Sequence, residues 1–119
     1  MIALWIGTGI LAAAYLLAGG TKLLRPKTEV QKTMHFAEDF AASQIKTIGA
    51  LEVLGAIGLI LPELTHIATW LTPTAAFALV LVQIGAIVVH LRRGEKNVVV
   101  NIVLLLLALA IGIFWIVAG

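Results

Sequence analysis

The chain has 119 residues, 61% of them hydrophobic and 12% charged, with a mean hydropathy of +1.10. Soluble domains are roughly 45–50% apolar and about 25% charged, so a water-soluble enzyme domain, a disordered chain and a secreted disulfide scaffold are excluded. The formal charge is only +2 and there is no cysteine, which removes disulfides, thiol catalysis and thiolate metal sites.

The first apolar run covers residues 2–24 and is closed by Lys22, Arg25 and Pro26. No charge precedes Lys22. The positive n-region of a signal peptide is therefore missing, and a retained span is expected. Residues 28–43 follow. Here Val30, Met34, Ala37, Phe40 and Ala41 recur at helical spacing, while Glu29, Lys32, Glu38 and Asp39 occupy other faces. That pattern predicts an amphipathic helix lying at the membrane surface.

The second span is expected over 45–62, with Glu52 inside it and Pro62 closing it. The third is expected over 72–91. Thr72-Pro73 reads as an N-cap followed by proline at the first helical position; a start near Thr65, with Pro73 as a kink, is the alternative. The fourth covers 98–118. Continuous runs favour helices over a barrel, whose strands alternate. The fold class is therefore all-α, a four-transmembrane-helix bundle with one interfacial helix between spans 1 and 2, forming a single membrane domain over residues 1–119.

All eight basic residues fall at two connections. Lys22, Arg25, Lys27, Lys32 and Lys46 border the first, and Arg92, Arg93 and Lys96 lie at the third. The positive-inside rule places these connections, 25–44 and 92–97, in the cytoplasm and both termini outside. Trp5, Trp70 and Trp115 fall at the opposite ends of the spans, where an outer aromatic belt would lie. The basic residues thus read as topology signals, and no nucleic-acid partner is expected.

Ionisable groups inside a span cost roughly 2.5–3.5 kcal/mol on insertion scales, so they are the candidates for function. Glu52 lies six residues beyond Lys46, about 9 Å deeper. Gly49 and Gly55 flank it three residues away on either side, and that small-residue face invites a neighbouring helix. Tyr15, Gly19 and Lys22 share one face of the first span. Lys22 reads either as a partner for Glu52 or as a snorkelling interfacial residue. Thr72, Ala76, Gln83 and His90 form a stripe on the third span; Asn97, Asn101, Ala108 and Gly112 form one on the fourth. Lys22, Glu52, Tyr15, Gln83, His90 and Asn101 therefore gather in the cytoplasmic half. They read as a ligand site or as a hydrogen-bonded cluster fixing helix register. His35, His66 and His90 lie in different segments, and neither metal nor haem is expected.

Three stretches carry a family resemblance: Ala18-Gly19-Gly20-Thr21-Lys22-Leu23, Ile48-Gly49-Ala50-Leu51-Glu52-Val53-Leu54-Gly55 and His90-Leu91-Arg92-Arg93-Gly94-Glu95. In order and position they resemble the DoxX-like family of small four-helix membrane proteins. The family pattern highlights Lys22, Gly49 and Glu52. Some members are linked to quinone-dependent thiosulfate oxidation or oxidative-stress responses, and a related animal protein assists receptor assembly. The resemblance thus implies a plasma (inner) membrane protein with one of two roles. One is a site for a quinone or other lipophile. The other is a non-catalytic partner subunit or assembly factor, joined to another membrane protein or to copies of itself. A small proton-coupled transporter using Glu52 is a third reading.

Overall fold

The computed structural model describes residues 2–34, 37, 40–95 and 98–118. Among these are five helices: α1 (Ile2–Leu24), α2 (Lys27–Thr33), α3 (Ala42–Thr65), α4 (Leu71–Arg92) and α5 (Val99–Ala118). All but α2 are long and apolar enough to cross a membrane. The described residues contain no strand.

The four long helices close a ring in which α1 and α4 each pack against α3 and α5. The inner face of each is read from its buried residues. On α1 these are Thr8, Leu11, Ala12, Tyr15, Gly19 and Lys22; on α3 they are Ile45, Gly49, Glu52, Ala56, Leu59 and Pro62. The spacing alternates mostly between 3 and 4, the seam by which antiparallel bundles interdigitate. Leu17, Leu54, Leu81, Val100 and Phe114 project outward and are exposed. An apolar exterior of this kind suits lipid rather than water.

Lipid tails are as apolar as leucine, so helix association in a bilayer depends on van der Waals packing and polar contacts. Glycines supply the closest packing. A Cβ on Gly19 would lie 2.7 Å from the Gly49 carbonyl oxygen, and one on Gly49 would lie 2.7 Å from that of Gly19. The backbones of α1 and α3 meet there. Gly55 instead receives Leu79 of α4, whose Cδ2 would stand 2.8 Å from an added Cβ. Gly112 of α5 receives the Phe77 ring at 2.9 Å. The two glycines flanking Glu52 thus face different neighbours.

One end of the bundle carries the described basic residues. There Lys46 Nζ donates to the Leu23 carbonyl at 2.8 Å, satisfying an orphan acceptor at the negative end of α1. At the other end Trp115 Nε1 donates to Thr8 Oγ1 at 3.0 Å, and Thr8 donates to the Leu4 carbonyl at 2.7 Å. Trp5 meets Trp115 edge-on with ring centroids 5.2 Å apart, a favoured aromatic geometry.

Three boundaries differ from the pattern-based expectation. The helix between the first two spans is seven residues long, not sixteen. Met34 leaves helical geometry at φ −119°, ψ 86°. Thr28, Val30 and Thr33 are poor helix formers, and so short a helix has little propagation to offset nucleation. Its apolar residues still bury together: Val30, Ala37 and Ile45 form a small cluster backed by Met34 and Phe40. His35, Glu38, Asp39, Lys96 and Asn97 lie outside the described residues. Second, α3 runs through Pro62 to Thr65. A proline this near a helix end forfeits one backbone bond, and little of the helix follows it. Third, α4 starts at Leu71 with Trp70 as N-cap, so Thr72 is helical rather than capping. Pro73 then sits in the first turn, where its missing N–H is already an orphan.

Two glycines with opposite surroundings test this packing. Gly49→Ala drives its Cβ into backbone that cannot yield, and is expected to cost about 1–3 kcal/mol. Gly20→Ala meets nothing within 4 Å and is expected to stabilise by up to about 1 kcal/mol through helix propensity. Thermal unfolding of both variants in the same detergent checks the pair.

Candidate functional site

Lys22 sits in the last turn of α1, and Glu52 lies ten residues into α3. Because the Gly19–Gly49 contact draws these helices together, Lys22 Nζ reaches Glu52 Oε1 in a hydrogen-bonded ion pair. The two residues are 7% and 3% exposed. Lys22 is therefore the partner of Glu52 and does not snorkel. Each charge is costly alone in an apolar interior, and removing one partner of such a pair typically costs 3–5 kcal/mol.

Beside the pair runs a hydrogen-bonded chain across three helices. Asn101 Nδ2 of α5 donates to Gln83 Oε1 of α4 at 2.9 Å. Gln83 Nε2 donates to the Tyr15 hydroxyl of α1 at 2.7 Å. Tyr15 and Gln83 are buried, and Asn101 is partly so. His90, near the end of α4, contacts Glu95 through Nδ1, and Arg93 Nε donates to the other Glu95 oxygen at 2.8 Å.

These groups surround one cavity of about 630 Å³, within the usual range for ligand pockets. Tyr15, Lys22, Glu52, Gln83, His90 and Asn101 all line it. Most of the remaining lining is apolar: Ile48 and Leu51 of α3, Val82, Ala86 and Val89 of α4, and Leu104 of α5. Its position follows from the packing. Helices α3 and α4 touch closely where Gly55 meets Leu79 and Gly58 meets Ala75. The cavity residues of both helices lie in the other half, towards the basic end. On α4 that stretch carries Gly85 and Ala86, and a Cβ on Gly85 would meet nothing within 4 Å. Leu51, Leu81 and Val100 line the cavity and are also exposed outside, Leu81 by 70%. The cavity is thus continuous with the apolar surface that lipid would cover.

Several lining residues escaped sequence reasoning. Glu95 was visible only as part of the motif ending the third span; the turn around Gly94, at φ +78°, brings it back onto His90. Met34 and Phe40 come from the connection after α2 and form part of the cavity wall; their helical spacing pointed to the apolar face of a surface helix, not to a cavity lining. Thr72, at the far end, has a buried hydroxyl with no hydrogen-bond partner among the described residues, and it lies away from the cavity.

Hydrogen bonds from Arg93 and His90 hold the Glu95 carboxyl below the usual carboxylate range. A depressed folded-state pKa contributes stability above the unfolded value, about 4.3, and that contribution is lost as pH falls through the folded value. Acid titration of thermal stability is therefore expected to show a loss below about pH 4.3 that Glu95→Gln lacks.

A family model described as the DoxX-like family matches residues 6–111, which takes in α3 and α4 whole, most of α1 and α5, and every residue lining the cavity. No curated protein and no solved structure matches the chain. The match covers far more than half of the sequence, and its span contains the Gly19–Gly49 crossing, the Lys22–Glu52 pair and the turn carrying Glu95: this chain belongs to the DoxX-like family.

Proposed function

We propose that this multi-pass membrane protein takes a lipophilic molecule from the bilayer into the cavity between its helices and holds its polar head against the buried polar side chains. The observation that carries this reading is the convergence of six polar residues from four helices on one otherwise apolar cavity of about 630 Å³. A cluster serving only to fix helix register would need no such space beside it, since interiors are normally close-packed.

A quinone is the ligand class that suits these groups. It needs an apolar cleft for ring and tail, and donors at its carbonyl oxygens. Tyr15, Lys22, Gln83, His90 and Asn101 carry donors, and Glu52 is a carboxyl group able to exchange a proton. The distribution of basic residues supports an orientation with the cavity in the cytoplasmic half and both termini outside.

The test begins with protein purified from its own membranes in mild detergent, followed by organic extraction and mass spectrometry. A lipophile retained in stoichiometric amount by the wild type is expected to be lost from a folded Lys22→Met/Glu52→Gln double variant, which removes both charges together. Equal retention by the two proteins would sink the proposal. A wild type that retains no lipophile but copurifies with another membrane protein would turn the reading to a partner subunit.

A further inference from the structure

Tyr15 carries a hydrogen-bonding capacity that the fold does not use. Its hydroxyl accepts from Gln83 Nε2 at 2.7 Å, so its own hydrogen needs a separate acceptor. A phenolic hydrogen stays near the ring plane because the oxygen conjugates with the ring. With Gln83 on one side of the oxygen, the hydrogen is directed to the other. No acceptor for it is found among the described residues. Yet Tyr15 is 1% exposed and lines the cavity. Buried donors normally have partners, so an unmatched donor on a residue lining the cavity points to an occupant.

The bonds behind it run in one direction. Asn101 donates to Gln83, and Gln83 donates to Tyr15. In such chains each donor is polarised by the one before it, which makes the Tyr15 hydrogen a better donor than a lone phenol. The chain also restricts rotation of the hydroxyl. Seven residues further along the same face of α1, the Lys22 ammonium already engages Glu52.

We infer that Tyr15 donates to an acceptor oxygen on the ligand's head group, with Gln83 and Asn101 as positioning residues that hold and polarise it. The ligand class is a neutral lipophile bearing a carbonyl-type oxygen. It lies head inward at Tyr15, with its tail passing the exposed Leu51 and Leu81 into lipid. A head group offering donors alone is disfavoured, and a bare hydrocarbon gains nothing from Tyr15. This inference rests on the reading of the cavity as a ligand site.

The test uses the full chain in lipid nanodiscs with two probes of matched tail, a decyl-substituted benzoquinone and decylbenzene. The wild type is expected to prefer the quinone. Tyr15→Phe keeps the ring and removes only the hydroxyl. It is expected to weaken quinone binding by up to about tenfold while leaving decylbenzene unchanged. Gln83→Leu is expected to reduce the same preference by a smaller factor, with thermal unfolding reporting any loss of fold. A Tyr15→Phe protein that keeps the full wild-type preference overturns the assignment, as it would if the hydroxyl served only a buried water. If the Lys22→Met/Glu52→Gln variant loses quinone binding in that same series, the ligand site stands without Tyr15. A wild type that binds neither probe overturns both.

Discussion

Where α1 crosses α3, two glycine backbones touch, and neither could carry even a methyl group without striking the other's carbonyl oxygen at 2.7 Å. Much of the half of the bundle that holds the cavity follows from that contact. It brings Lys22 within reach of Glu52, so that each buried group has a partner. Since lipid offers no hydrophobic drive for helices to associate, a close approach of this kind carries much of the burden that a buried core carries in water.

The bundle uses small residues in two ways. Away from the basic end, Gly55, Gly58 and Gly112 are each filled by a neighbour's side chain: Leu79, Ala75 and Phe77. The Trp5–Trp115–Thr8 group closes that end with aromatic bulk and satisfied hydrogen bonds. Towards the basic end, a Cβ on Gly85 would meet nothing within 4 Å, and the neighbouring Ala86 lines the cavity. The same residue class therefore produces contact at Gly19, Gly49, Gly55, Gly58 and Gly112 and leaves space at Gly85. What decides between them is the size of the residue that the antiparallel register brings opposite.

This difference also explains what the sequence could convey. The four spans were legible because twenty consecutive apolar residues have few other uses. The inner faces were legible too, since a polar residue such as Gln83 or Glu52 marks the side that avoids lipid. The cavity was not. A void records what two helices fail to place opposite one another, and that depends on a register no single span encodes. Thr72 misled for a related reason: a threonine before proline has the composition of a cap, but Trp70 and the turn before it start the helix earlier. The connection between α1 and α3 was expected to be an amphipathic surface helix over 28–43; its helix is shorter, and Val30 and Ala37 pack against Ile45. Burial of Val30 and Ala37 requires only that they reach Ile45, not that the backbone stay helical between them.

The buried ion pair also bears on how the chain is made. Lys22 closes the first helix and Glu52 lies deep in α3, so the ribosome delivers the cation first. When α3 enters the bilayer, its carboxylate finds a partner already anchored in the membrane. Alone, it would meet the insertion penalty of roughly 2.5–3.5 kcal/mol that a central charge carries. The order of the two residues along the chain thus means that the carboxylate is never synthesised ahead of its partner. A circular permutation that moved α1 behind α5 would reverse that order.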